Sequence, residues 1–150
     1  MDAERLRAYL LTLPHVAETM QWGANLVYWV GDKAIGGKMF ALINLDEPPD
    51  PATGKPHLVL SYSVGAARYT ELVERNGLLP APYMARNHWI AAERWDVFRD
   101  VEWQREMRAA YEITLTKLPK KVRATLALPA AEQQRQIGAR RKQLAAKAKK

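Results

Sequence analysis

The chain has 150 residues, 48% of them hydrophobic and 26% charged, enough for one domain with a real core and near globular averages. It has no cysteine, which excludes disulfides, thiolate metal ligands and cysteine nucleophiles together and fits a reducing cytosol. The net charge of +7 is uneven: residues 1–116 hold 12 Lys/Arg against 15 Asp/Glu, whereas residues 117–150 hold 11 against Glu132 alone.

In chain order, Leu6, Tyr9, Leu10 and Leu13 recur at helical spacing before Pro14, predicting an amphipathic helix over about residues 2–13 with Asp2 as its cap. The period then changes. Glu18–Trp22, Leu26–Val30, Lys38–Leu45 and Leu58–Tyr62 are short β-branched and aromatic runs between Gly or Pro punctuation, and read as an antiparallel meander. The proline-rich stretch Asp46–Pro56 is expected to project as a long hairpin tip. Ser63 stands where a cap would precede a short second helix carrying Tyr69, Leu72 and Val73, stopped by Asn76-Gly77.

His88–Ala92 reads as one more strand. From Asp100 the helical period returns through Val101, Trp103, Met107, Ala110, Tyr111, Thr114, Leu115 and Leu118, with Arg108 and Glu112 spaced as an ion pair, and stops at Pro119. A short helical turn follows over Val122–Leu126. Beyond Pro129 only Ile137 and Leu144 are large and apolar, so residues 129–150 are expected to form a basic arm, helix-prone but frayed, appended to a domain of residues 1–128. The expected fold class is α+β: an antiparallel sheet of about five strands with helices packed on one face, in the order α-β-β-β-β-α-β-α.

No constellation of catalytic residues stands out, and the chain is expected not to be an enzyme. His15, His57 and His88 lack ligand spacing, so no metal and no cofactor are expected. Gly31–Met39 invites comparison with a phosphate-binding loop, but Lys38 comes one place late, Met39 replaces the magnesium-binding hydroxyl, and strand follows where a helix is needed. Ser61 and Ser63 sit in no nucleophile elbow. Trp22, Trp89 and Trp103 are expected to pack in the core rather than to stack on bases.

Ala85-Arg86-Asn87-His88-Trp89-Ile90, read with Gly37-Lys38-Met39-Phe40-Ala41-Leu42 before it and Leu118-Pro119-Lys120-Lys121 after it, resembles the YjbR/MmcQ family. Pro14-His15 matches that family's early corner, and the resemblance runs from about residue 2 to residue 125. Ala110-Tyr111 stands where a Ser-Tyr pair is usual. The resemblance implies a compact α/β sandwich related to the frataxin fold, described as a double wing, and a DNA-binding role; it carries over no catalytic residue.

Charge supplies the candidate interface. Lys117, Lys120, Lys121 and Arg123 cluster at the end of the last long helix, and Arg135, Arg140, Arg141, Lys142, Lys147, Lys149 and Lys150 follow; such density releases counterions from a phosphate backbone. Arg86, His88 and Trp89 would add contacts if exposed. The plainer reading of the same lysines is solubility and a complemented helix dipole. Asp46, Glu47 and Asp50 against Lys55 alone make the long hairpin tip acidic, so that wing is expected to stay out of a groove. The expected partner is therefore DNA, bound without sequence preference, and the alternative is an aromatic-lined pocket, using Trp22, Tyr28, Tyr62 or Tyr83, for a small molecule or a protein. The first residues have neither the basic start nor the apolar run of a secretory signal and no stretch could span a bilayer, so a cytoplasmic protein without membrane contact is expected.

Overall fold

A computed structural model describes residues 1–148. Helix α1 (Ala3–Leu10) begins where the Asp2 side chain accepts a hydrogen bond from the Arg5 N–H at 2.8 Å, and it buries Leu6 and Leu10, one turn apart. Strands β1 (Val16–Gln21), β2 (Asn25–Val30), β3 (Lys38–Asn44) and β4 (Leu60–Ser63) form the expected meander. Helix α2 (Ala66–Val73) leads to β5 (Leu78–Pro80) and β6 (Trp89–Ala92), then to α3 (Asp100–Lys117), α4 (Lys120–Leu126) and α5 (Ala130–Ala148). The six strands make one antiparallel sheet in the order β1-β2-β3-β4-β6-β5.

Alternation divides the sheet's side chains. Tyr28, Phe40, Leu60, Tyr62 and Ile90 join Leu6 and Leu10 of α1 and Trp103, Met107, Ala110 and Tyr111 of α3 in the main core. Trp103, fully buried as expected, sits edge-on to Tyr62, Trp95 and Phe98, and its indole N–H donates to the Trp95 carbonyl at 2.7 Å. Glu106 is also buried on α3. Its carboxylate accepts from the Tyr62 hydroxyl at 2.8 Å and from Arg68 of α2 at 2.6 Å, so α2 is tied through β4 to α3 by charge as well as packing. The Tyr62 hydroxyl is held well above its ordinary pKa, by burial first and the Glu106 charge second.

At the sheet's outer strand Glu18 accepts both Arg7 guanidinium hydrogen bonds, at 2.8 and 3.1 Å, and the Tyr28 hydroxyl at 2.7 Å. Arg7 lowers the Glu18 pKa against the opposing effect of burial, while burial and Glu18 raise that of Tyr28. The opposite face of the sheet carries a smaller cluster: Trp89, Ala91 and Ala81, with Met39, Leu42 and Met84 packed around them.

The expected antiparallel sheet has a sixth strand because Leu78–Pro80, too short to show alternation and ending in proline, pairs with β6. Two expectations are corrected. Ser63 is not a helix cap: it is buried in β4, and α2 starts after Gly65, whose φ of +78° a side chain would strain. Trp22 is not core but 61% exposed, because the β1–β2 turn begins at Trp22 itself, with φ of +50° there and +84° at Gly23.

The C-terminal region is three successive helices packed on the body. Leu118 is extended, as the residue before a proline must be, and breaks α3 from α4. Val122 and Leu126 of α4 are buried against the β2–β3 turn, where a Cβ on Gly36 would meet Val122 at 2.9 Å and one on Gly37 would meet the Gly31 carbonyl at 1.8 Å. α5 then folds back onto that turn. Ile137 is buried, Gln133 donates to the Leu126 and Leu128 carbonyls at 3.0 and 2.7 Å, and Arg141 pairs with Asp32. The frayed arm expected for residues 129–150 is thus a docked helix through Ala148; Lys149 and Lys150 lie outside the described residues.

Candidate nucleic-acid interface

Two grooves meet at the β2–β3 turn. The larger, about 970 Å³, lies between α5 and the sheet edge; Lys33, Lys121, Arg140 and Arg141 line it beside Ala17 and Thr19 of β1. The second, about 600 Å³, opens where β3 begins, β4 ends and α3 finishes; Lys38, Arg86 and Lys117 line it with His88 and Trp89. The turn is the shared wall: Gly36 faces one groove and Gly37 the other. The Lys33 ammonium, on the first side, stands 5.5 Å from the ring centre of Trp29, which lines the second.

The acids of these grooves are already neutralised. Only Glu18 and Asp32 line the first, each ion-paired, with Arg7 and Arg141 respectively, and no carboxylate lines the second. Lys33, Lys38, Arg86, Lys117, Lys121 and Arg140 pair with no carboxylate among the described residues. Cations left unpaired beside neutralised acids present a net positive field to a solvent-filled cleft.

The residues singled out by charge are thereby sorted. Lys121, Arg140 and Arg141 come together in the first groove, and Lys117, Arg86, His88 and Trp89 in the second. Lys120, Arg123 and Lys142 line neither, but are exposed on the same helices. Arg135 is occupied by Glu132. Arg141 is occupied by Asp32 and serves to hold α5. Trp89 packs inward as expected: at 5% exposure its ring offers no stacking platform, because β6 alternation turns it into the small cluster on the sheet's second face. His88 is half-buried, edge-on to Tyr69 at 5.5 Å, with a left-handed φ of +61°, while Arg86 is exposed. The pocket expected to use Trp22, Tyr28, Tyr62 or Tyr83 is not formed: Tyr28 and Tyr62 are core, and Trp22 and Tyr83 are exposed at separate loops.

Sequence reasoning missed Lys33 and Lys38. They are isolated in the chain and flank the Gly36-Gly37 corner of the meander. A lysine on either side of so tight a turn is placed on opposite walls of it, and that was the available signal.

Among the described residues no cluster of His, Asp or Glu could hold a metal ion, and no helix is long and apolar enough to cross a membrane. The acidic loop Asp46–Pro56 follows the far end of β3, away from both grooves, with Asp50 spent on a turn at Ala52.

Comparison with known proteins agrees with the motifs from Pro14-His15 to Trp89-Ile90, and the Leu118–Lys121 motif lies beyond the match. The YjbR family model matches residues 11–113, from the end of α1 into α3. No curated protein and no solved structure matches the chain significantly. The match covers β1 to β6, hence Lys33, Lys38, Arg86 and His88, and leaves α4 and α5 outside it. The motifs, the antiparallel sheet and the match over more than half of the chain agree, and the chain belongs to the YjbR family.

Proposed function

We propose that this protein is a non-catalytic, cytoplasmic DNA-binding protein that grips the phosphate backbone with the face formed by the two grooves, α4 and α5. The observation that carries the reading is the set of six unpaired cations, drawn from the β2–β3 turn, the β5–β6 loop, the α3–α4 junction and α5, around grooves whose carboxylates are absent or already paired. Such an arrangement takes up phosphates from successive nucleotides by charge, without reading bases. The β1–β2 and β3–β4 hairpins end in tips at Trp22-Gly23-Ala24 and in the Asp46–Pro56 loop. Neither tip suits phosphate: Trp22-Gly23-Ala24 carries no charge, and Asp46, Glu47 and Asp50 repel it. The helical end, not the hairpin tips, is the DNA-facing surface.

Fluorescence anisotropy of a labelled mixed-sequence duplex, titrated with the full chain at several salt concentrations, tests this. Six cations engaged together would give a log–log salt slope near −5 at most, since each phosphate contact contributes about −0.9. Lys121→Ala with Arg140→Ala is expected to reduce that slope by roughly 2. Binding that ignores salt, or a slope unchanged in the double variant, overturns the reading.

A further inference from the structure

The second groove differs from a plain phosphate clamp. Cations line it, but so does an apolar group, Met39 and Met84 packed with the nearly buried Trp89. Ser63 and Thr114, each only 5% exposed, also line it. The loop that supplies Met84 and Arg86 is also held in a strained form, with left-handed backbone at both Tyr83 and His88 (φ +64° and +61°).

A duplex backbone uses the cations of such a groove but not its apolar group. We infer that the groove receives a nucleoside phosphate: the phosphate between Lys38, Arg86 and Lys117, the base flat against Met39 and Met84, and a base edge or sugar hydroxyl on Ser63 and Thr114. At about 600 Å³ it has the size of a small-molecule site and is large enough for one nucleotide. The same chemistry is offered by a free mononucleotide and by the unpaired terminal nucleotide of a DNA strand. The strand-end form rests on the DNA-binding reading above; the mononucleotide form does not.

The full-length protein is titrated with AMP and CMP, with adenosine and inorganic phosphate as half-ligands, following tryptophan emission, since Trp29 and Trp89 line the groove. Parallel anisotropy titrations use a blunt duplex and the same duplex with a short single-stranded overhang. The variants are Arg86→Glu with Lys117→Glu, and, as a charge-matched control away from both grooves and the helical face, Lys55→Glu with Arg105→Glu; all four residues are exposed.

The expected result is mononucleotide binding, or tighter binding of the overhang duplex than of the blunt one, weakened at least about tenfold by the groove pair and little by the control, with each half-ligand at least about tenfold weaker than AMP. Mononucleotide binding without any overhang advantage assigns the free nucleotide as the ligand; an overhang advantage that the groove pair abolishes assigns the strand end. Nucleotide and overhang responses that are both absent, or equal in the two double variants, overturn the inference. Blunt-duplex binding that is independent of salt instead sinks the DNA reading and leaves the mononucleotide arm standing.

Discussion

Replacing Ile137 with alanine separates the docking of α5 from the formation of α5. Alanine is the better helix former, so any loss cannot be charged to helix propensity. Ile137 is the one buried side chain of the helix, 8% exposed where α5 crosses the Lys33–Ile35 turn. Its other described tethers are polar and partly exposed: the two Gln133 hydrogen bonds, the long Thr125–Gln136 contact and the Arg141–Asp32 pair, whose arginine side chain is 65% exposed. An exposed pair of that kind contributes at most about 1 kcal/mol. Removing most of a buried isoleucine side chain costs about 2 kcal/mol at so shallow a site, roughly thirtyfold in the docking equilibrium. The body does not depend on α5, because its core is closed by α1, α3 and α4. Hydrogen exchange followed by mass spectrometry is therefore expected to show the 130–148 amides of Ile137→Ala exchanging roughly thirtyfold faster, while β3 and α3 keep their protection. Duplex affinity should fall with them, as Arg140 loses its place opposite Lys121. Unchanged protection in α5, or equal loss throughout the domain, would refute the picture of a helix pinned by one apolar contact.

Two further outcomes follow from the buried polar groups. Arg68→Ala leaves the buried Glu106 carboxylate with the Tyr62 hydroxyl as its one side-chain partner; since Arg68 is 39% exposed, the cost is expected at the low end for broken buried pairs, about 2 kcal/mol in urea unfolding, and should shrink to a few tenths in a Glu106→Gln background. The Glu18 pKa is depressed in the folded state, so its contribution is complete above the ordinary carboxylate range and is lost as the pH falls through the lowered value. Urea midpoints taken from about pH 6 downward should therefore fall less steeply for Glu18→Gln than for the parent, and parallel curves would show that the Arg7–Glu18–Tyr28 cluster adds nothing.

The parts of the fold legible in the sequence are those where local rules and tertiary packing agree. Asp2 caps α1, Arg108 and Glu112 pair at 3.1 Å, Pro119 ends α3, and the four-run meander pairs in order. Where they disagree the sequence misleads. Three residues of β5 cannot display a period, and their strand character comes wholly from β6 beside them. Trp22 looks like the end of an apolar run, but the turn claims it. The arm looked too polar to fold down because one isoleucine in an Ala/Lys/Arg stretch makes no stripe; a single contact was enough because the helix needed only an anchor and not a face. The basic end was visible as a charge block, but its grooves were not. Lys33, Lys38 and Arg86 are scattered singly through the chain, and they become neighbours of the helical cations only after the sheet and the α3–α4 corner are built.

Strand β3 runs from Lys38, at the cationic grooves, to Asn44, beside the loop that carries Asp46, Glu47 and Asp50. The molecule therefore has a negative pole and a positive pole, set apart by the length of the sheet. Under the DNA-binding role proposed above, the field of a linear polyanion would exert a torque as well as a pull and turn the helical end inward before contact. Seated so, the protein would present the acidic loop outward. Neighbouring copies on one strand would then meet solvent and one another with like-charged tips, which opposes stacking into a second layer and limits coverage to a single coat.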